Sequence, residues 1–373
     1  MGQTEDLKAS AYTKAYIDLS RLRDNYRIIK TIVRDSRLMC IVKADAYGHG
    51  AVRCAQELYK AGARDFAVAH TDEAVEIRNV LGPDCVVMII GSADPSYAGI
   101  LSENDITITL YSLEYAKRFA EALSGRRIKA HIKVDTGMNR IGFRADRNGV
   151  NDAAEVSKLP CYDITGVFSH LACADEPGNP MTDVQIEKFR FFTAALETCG
   201  VSIGLKHISA SSAVIERPDA VIDMVRPGVM LYGMQPSDNM EPVSKFGIKH
   251  VLSLKSRIIN IHRINAGESV SYGATWTAQR DTLVATLPLG YGDGFIRAYS
   301  GMTVEINGEK RPIIGRICMD QCMIDVTGLD VRLLDEVGVI TDTNPIEDFA
   351  RKAGTITYEC SCLLNSRIPR IFI

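Results

Sequence analysis

Between about residues 15 and 235, short runs rich in β-branched and aliphatic residues alternate with amphipathic stretches. The strand candidates are Leu38–Val42, Phe66–Ala69, Val86–Ile90, Ile106–Leu110, Ile128–Val134, Ile164–Ser169, Leu205–Ser209 and a stretch ending near Val225. Ser20–Ile32, Asp72–Leu81, Ser112–Leu123 and Asp183–Cys199 lie between them. In the third of these, Leu113, Ala116, Phe119, Ala120 and Leu123 recur at three- and four-residue spacing, the mark of a helix with one buried face. Eight strands, most followed by a helix, predict an α/β chain that opens with a (β/α)8 barrel; an open doubly wound sheet is the competing arrangement.

After residue 245 the pattern changes. The runs His250–Ile261, Thr282–Leu287, Thr303–Ile306, Cys322–Val326 and Val337–Ile340 are separated by turn signals such as Asn307-Gly308, with no long helical pattern between Leu254 and Ile340. The predicted boundaries are 12–245 for the barrel and 246–373 for a mostly-β domain, with residues 1–11 packed on the latter.

With 43 basic and 46 acidic residues the formal net charge is −3, and neither sign dominates any segment. That argues against a basic field for nucleic acid or a polybasic membrane module. No apolar run reaches the ~18 residues of a membrane span, and the polar N-terminus lacks the apolar stretch of a signal peptide. The ten cysteines are scattered, most in or beside apolar runs, and form no CxxC pair, so reduced thiols in a cytoplasmic compartment and no metal site are expected.

The densest chemical signal is Val42-Lys43-Ala44-Asp45-Ala46-Tyr47-Gly48-His49-Gly50, directly after the first barrel strand. A lysine at the C-terminal end of a barrel strand sits where barrel enzymes place their chemistry, and an amine held there can be desolvated and made nucleophilic. Most lysines in glycine-rich loops are merely solvated; Tyr, His and two Gly within seven residues favour function here.

This nonapeptide closely resembles the pyridoxal-phosphate attachment motif of the alanine racemases, the barrel-type amino-acid racemases. The resemblance runs from about Ala15 to Ile373 through KVDTGMNRIG (Lys133–Gly142), FSHLACAD (Phe168–Asp175), MVRPGVMLYG (Met224–Gly233), VSYGATW (Val270–Trp276), LPLGYGDGF (Leu287–Phe295), GRICMDQCMIDV (Gly315–Val326) and YECSC (Tyr358–Cys362). It implies that Lys43 carries pyridoxal 5'-phosphate and, once released, serves as one of two bases at the substrate α-carbon. The cofactor supplies the electron sink and the protein supplies placement. The second base is implied to be Tyr272, oriented by His170, itself held by Arg226. Taken alone, His170 after a strand reads equally well as a satisfied structural histidine.

By the same resemblance the cofactor phosphate meets Tyr47, Ser212, Gly228, Val229 and Tyr358, although a Ser-Ser pair by itself reads as a helix N-cap. Arg226 would face the pyridine nitrogen, where a permanent charge disfavours its protonation and suppresses transamination; its bland alternative is a barrel-end salt bridge. Arg140 and Met319 would meet the substrate carboxylate, with Arg140 steered by a carbamylated Lys133. Tyr291, Cys318 and Asp320 would line the pocket and its mouth. The implied assembly is a homodimer with shared active sites, Tyr272 and Met319 reaching the partner's cofactor.

One departure is Ser211, which stands where the family commonly has a cofactor-contacting asparagine. Vancomycin-resistance serine racemases carry a similar soluble domain behind a membrane domain, so this chain could be cut from a larger membrane protein. Serine therefore stands as the alternative substrate to alanine, whose racemisation supplies D-amino acid for peptidoglycan. A non-catalytic pyridoxal-phosphate carrier would lack the β domain, and a decarboxylase of the same fold would be longer.

Overall fold

The computed structural model describes residues 11–373, and the chain divides into two compact units, Leu22–Ile248 and residues 11–21 with Lys249–Ile373. In the first, eight strands run parallel: β1 (Arg37–Ile41), β2 (Asp65–Val68), β3 (Val86–Ile89), β4 (Ile106–Leu110), β5 (Ile128–Asp135), β6 (Tyr162–Phe168), β7 (Leu205–His207) and β8 (Met224–Val225). They hydrogen-bond in the order β8-β1-β2-β3-β4-β5-β6-β7, and an Ala210–Arg226 bridge just beyond β7 and β8 brings the two ends together, so the barrel is nearly closed. The doubly wound alternative is thereby excluded.

The helices form where the sequence supplies both an apolar face and a cap. Leu113–Leu123 buries Tyr115, Ala116, Phe119 and Leu123, and Ser112 caps it by accepting the Tyr115 N–H at 3.2 Å. Pro180–Thr198 starts three residues before the predicted Asp183, because Asn179 accepts the Met181 N–H and Pro180 supplies a preset first-turn φ. Inside the barrel, Met39 and Ile41 from β1, Ala67 from β2, Met88 from β3, Phe168 from β6 and Met224 from β8 form one buried apolar cluster. The other side of the interior is polar: His131 and Lys133 come from β5, His207 from β7, and Arg226 follows β8, all buried.

The second unit is a nine-stranded sheet ordered Asn260–Ile264, Thr282–Leu287, Cys322–Asp325, Glu309–Ile314, Thr303–Ile306, Glu336–Ile340, Leu252–Arg257, Lys14–Ile17 and Arg370–Phe372, with a separate hairpin of Ser269–Val270 and Trp276–Thr277. Residues 12–21, expected in the barrel, belong here. Lys14–Ile17 pairs antiparallel with Leu252–Arg257 and parallel with Arg370–Phe372, partners more than 200 residues away that no local pattern announces. Residues 1–10 of the segment expected to pack on this unit lie outside the described residues. Glu309–Ile314 was hidden by Pro312, which cannot donate to a ladder and so reads as a strand breaker. Among the described residues no helix is long and apolar enough to cross a membrane.

Candidate active site

Parallel strands put their C-terminal ends on one rim, and the barrel-unit candidates collect there. Lys43 follows β1 by two residues, Lys133 lies near the end of β5, His170 follows β6, Ser211 and Ser212 follow β7, and Arg226 follows β8.

Lys43 is half-buried, and the backbone after it is unusual. Ala44, Asp45, Ala46 and Tyr47 all have φ between 52° and 54°, one turn of left-handed helix. Each non-glycine residue in that region costs roughly 1–2 kcal/mol, so the turn persists only because it is tied down. Asp45 Oδ1 accepts the Ala51 N–H at 2.7 Å, Gly50 N–H donates to Asp45 O at 2.9 Å, and Ala44 N–H donates to Glu73 Oε1 at 2.6 Å. The turn brings Tyr47 over Tyr232, with ring centroids 5.4 Å apart.

Tyr47 meets the segment after β8 at one sharp point. A Cβ on Gly228 would lie 2.5 Å from the Tyr47 hydroxyl oxygen, so only glycine admits that hydroxyl. The Gly228 N–H donates to Ser211 Oγ at 2.9 Å, and the Met230 N–H approaches the same oxygen at 3.4 Å. Ser211, buried, is thus committed to shaping the turn rather than offering its oxygen outward, and Gly228 contributes the missing side chain rather than its N–H. Val229 begins the short 3-10 turn Val229–Tyr232, and Ser212 is partly exposed beside it in the chain after Ser211.

Arg226 organises the polar side. Its Nη2 donates to Ser169 O at 2.7 Å and Ile208 O at 3.2 Å and lies 3.3 Å from His170 Nδ1, while Nη1 reaches His207 Nδ1 at 2.9 Å. His207 Nε2 continues to His131 Nδ1 at 2.8 Å. Burial pushes the Arg226 pKa down to about 9, which leaves it cationic at neutral pH. Burial and then the Arg226 charge push His131 down to about 3 and hold His170 and His207 well below the usual histidine range. The imidazoles are therefore neutral. Burial also holds the Lys133 amine well below the usual lysine range, reinforced by Arg226 and Arg140; it donates to Val134 O and lies 5.0 Å above the Phe168 ring. Arg140 itself is exposed, on the loop between β5 and the short strand Phe143–Arg144 that pairs back onto it.

His131 and His207 were not among the sequence candidates. Their signal was present: His131 and Lys133 alternate on one face of β5, and Gly166 opposite leaves the room, since a Cβ there would lie 2.6 Å from the His131 ring. Glu73 was missed as well.

The remaining candidates lie in the second unit. Tyr272 sits at the tip of the Ser269–Thr277 hairpin, 68% exposed, and Met319 is 54% exposed. Ser271, at φ 67°, donates from Oγ to Arg316 O at 2.6 Å and lies 3.4 Å from Cys318 Sγ, so the Tyr272 tip is moored to the Cys318 segment. Tyr291 N–H donates to Cys318 O at 3.0 Å, and Arg367 ties Asp320 at 2.6 Å. Tyr272, Tyr291, Cys318, Met319 and Asp320 are thus brought together. Tyr358 is half-buried on the helix Thr357–Leu363, which is followed by Asn365, a donor to Gly292 O.

Two family models match. "Alanine racemase, N-terminal domain" covers residues 17–236 and "Alanine racemase, C-terminal domain" covers 251–372. The chain is 40% identical over 368 residues to an alanine racemase of Clostridium novyi, covering 96% of this chain and 95% of that one. It is 39% identical to the alanine racemase of Methanococcus maripaludis, covering 96% and 98%. Among solved structures, the alanine racemase of Clostridium difficile 630 superposes with a TM-score of 0.93 at 36% identity, covering 98% of this chain and 96% of that one. That of Streptomyces coelicolor A3(2) gives 0.94 at 33% identity, covering 99% and 100%.

Proposed function

This chain belongs to the alanine racemase family of isomerases, and on that premise we propose that it interconverts L- and D-alanine with pyridoxal 5'-phosphate held on Lys43. The carrying observation is the rim itself: a strand-end lysine, a glycine cradle closed by a tyrosine hydroxyl, and a buried arginine flanked by neutral histidines.

The barrel residues fit the cofactor. Gly228, lacking a side chain, lets the Tyr47 hydroxyl in against the backbone, and Tyr47, Ser212 and Val229 would offer donors to a phosphate, with Tyr358 proposed as a further contributor. Bound there, the cofactor supplies the conjugated ring that stabilises charge at the substrate α-carbon. The Arg226 cation, anchored by two backbone carbonyls, would disfavour a proton on the cofactor's ring nitrogen.

Lys43 moves a proton at one face of the α-carbon. Tyr272 of the partner subunit moves one at the other, its phenol needing help because a free tyrosine titrates near 10. His170, neutral and within reach of Arg226, is available to orient that phenol. A homodimer with shared sites is supported by the exposure of Tyr272, Met319 and Tyr291, large side chains of the kind a second subunit covers. Arg140 and the partner subunit's Met319 would receive the substrate carboxylate, with Tyr291, Cys318 and Asp320 beside that Met319 around the mouth. Burial and the neighbouring arginines favour the neutral amine of Lys133, the form that attacks carbon dioxide to give a carbamate with release of a proton, and the new carboxylate would steer Arg140; intact mass under bicarbonate tests for the added carboxyl. A cytoplasmic location belongs to the same reading, supported by ten cysteines that form no disulfide and to be checked by cell fractionation. So does a role in supplying D-alanine to peptidoglycan, which depletion followed by D-alanine rescue would test.

The deciding experiment is steady-state kinetics with L-alanine and L-serine, following each D-enantiomer, on the parent, Tyr272→Phe and Lys43→Ala. The reading expects D-alanine as the preferred product, loss of racemisation in Tyr272→Phe and loss of the cofactor absorbance band in Lys43→Ala. A fully active Tyr272→Phe enzyme overturns the two-base assignment, and preferred turnover of L-serine overturns the substrate. Ser211 gives serine no support, since its hydroxyl oxygen is taken by two backbone N–H groups.

A further inference from the structure

We propose that Glu73 is a positioning residue for Lys43, holding the left-handed turn through which the lysine leaves its strand. The proposal rests on the reading of Lys43 given above. Glu73 lies in the first turn of the helix Thr71–Leu81, directly after β2, and one of its oxygens does what a glutamate there ordinarily does. Oε2 accepts the Ala69 N–H at 2.9 Å and the His70 N–H at 3.2 Å, closing the helix start. Oε1 does something a cap has no need of. It accepts the N–H of Ala44, the residue after Lys43, at 2.6 Å and from 29 positions away.

One carboxylate therefore links the ends of β1 and β2. The link falls where the backbone most needs restraint, because Ala44 is the first of four consecutive non-glycine residues at φ near 53°. Such residues hold that conformation only where the surroundings over-determine it. A charge-assisted bond from a carboxylate to a backbone N–H is about twice as strong as a neutral one, and it acts at the junction where the Lys43 backbone turns. Asp45 restrains the far end of the turn through the Ala51 N–H. Without Glu73 the near end would keep the Ala46 N–H to Val42 O bond at 2.9 Å but lose its charge-assisted anchor. The Lys43 amine would then sample positions away from the reacting carbon, where small displacements are costly in rate.

The informative variant is Glu73→Asp, which keeps the charge in the first turn of the helix but is one carbon too short to reach Ala44 as well. Glu73→Ala removes both functions. Hydrogen exchange of the cofactor-loaded dimer is read on peptides covering 43–50 and 70–81, with kcat, KM for L-alanine and the dissociation constant for added pyridoxal phosphate measured alongside. In Glu73→Asp the 43–50 peptide is expected to exchange about tenfold faster, with the 70–81 peptide near parent behaviour. kcat should fall about tenfold with KM little changed, and cofactor should bind more weakly. Parent-like exchange at 43–50 in both variants overturns the proposal, as does a change confined to 70–81 and to the unfolding temperature. Lys43→Ala is the separate control: if it keeps the cofactor absorbance band, the Lys43 reading fails whatever Glu73 does to the turn.

Discussion

Arg226 reaches the Nδ1 of His207 through Nη1 at 2.9 Å, and this single contact assigns protons along a buried chain. A guanidinium can only donate. His207 Nδ1 must therefore accept, its Nε2 carries the proton, and that proton points at His131 Nδ1, 2.8 Å away. His131 in turn must hold its own proton on Nε2. The barrel interior is thus electrically ordered: one cation, then neutral rings of defined tautomer, with His170 on the other guanidinium nitrogen.

Imidazole nitrogen NMR should find His131 uncharged at pH 5, and His170 and His207 uncharged at neutral pH and titrating below the usual histidine range. Each folded-state pKa lies below the unfolded value, so the unfolded chain binds the extra protons and stability falls as pH drops below about 6.5, by up to ~1.4 kcal/mol per pH unit for each ring. Arg226→Met should relieve only part of this depression, because burial, the larger cause, stays in place. Protonation of the parent rings near pH 6.5 would contradict the assignment.

His250 should act with the opposite sign. Burial opposes its charging, but Glu347, 3.0 Å away, and Asp342 outweigh burial and the nearby Arg21, so its pKa is raised. Its contribution is complete below about pH 6.5 and is lost as pH rises through the raised value. Thermal unfolding of the parent and Glu347→Gln across pH 6 to 9 checks this; the parent's excess stability should shrink with rising pH.

Gly228→Ala should weaken cofactor binding by driving a methyl into the Tyr47 hydroxyl. Tyr47→Phe deletes that oxygen, so the two changes should be non-additive, with a coupling of roughly 1 kcal/mol or more in a double-mutant cycle of cofactor affinity. Strict additivity would mean the two residues do not meet.

Ser211→Ala leaves the buried N–H of Gly228 without its acceptor and also removes the weaker contact to Met230. The expected loss is about 1–3 kcal/mol of stability, read by thermal unfolding. Ser211→Asn restores an acceptor and should recover part of it. If Ser211→Ala matches the parent in both stability and cofactor affinity, the turn does not depend on this hydroxyl.

Much of this architecture was written locally. The eight barrel strands announce themselves because each is a short apolar run between helical periods, and parallel strands buried on both faces can tolerate little else. Lys43, His170 and Arg226 were readable as rim residues because a position just past a barrel strand has only one place to go. What the tertiary structure alone decided is partnership. Lys14–Ile17 looks like any strand, yet its ladder partners lie at the other end of the chain. Glu73 looks like a helix cap until its second oxygen meets Ala44. His131 and His207 look like two ordinary histidines until the barrel closes them around Arg226. Periodicity and turn chemistry act over a few residues and are legible in order. Hydrogen-bond partners and burial depend on register between distant segments, and that is set only when the chain has packed.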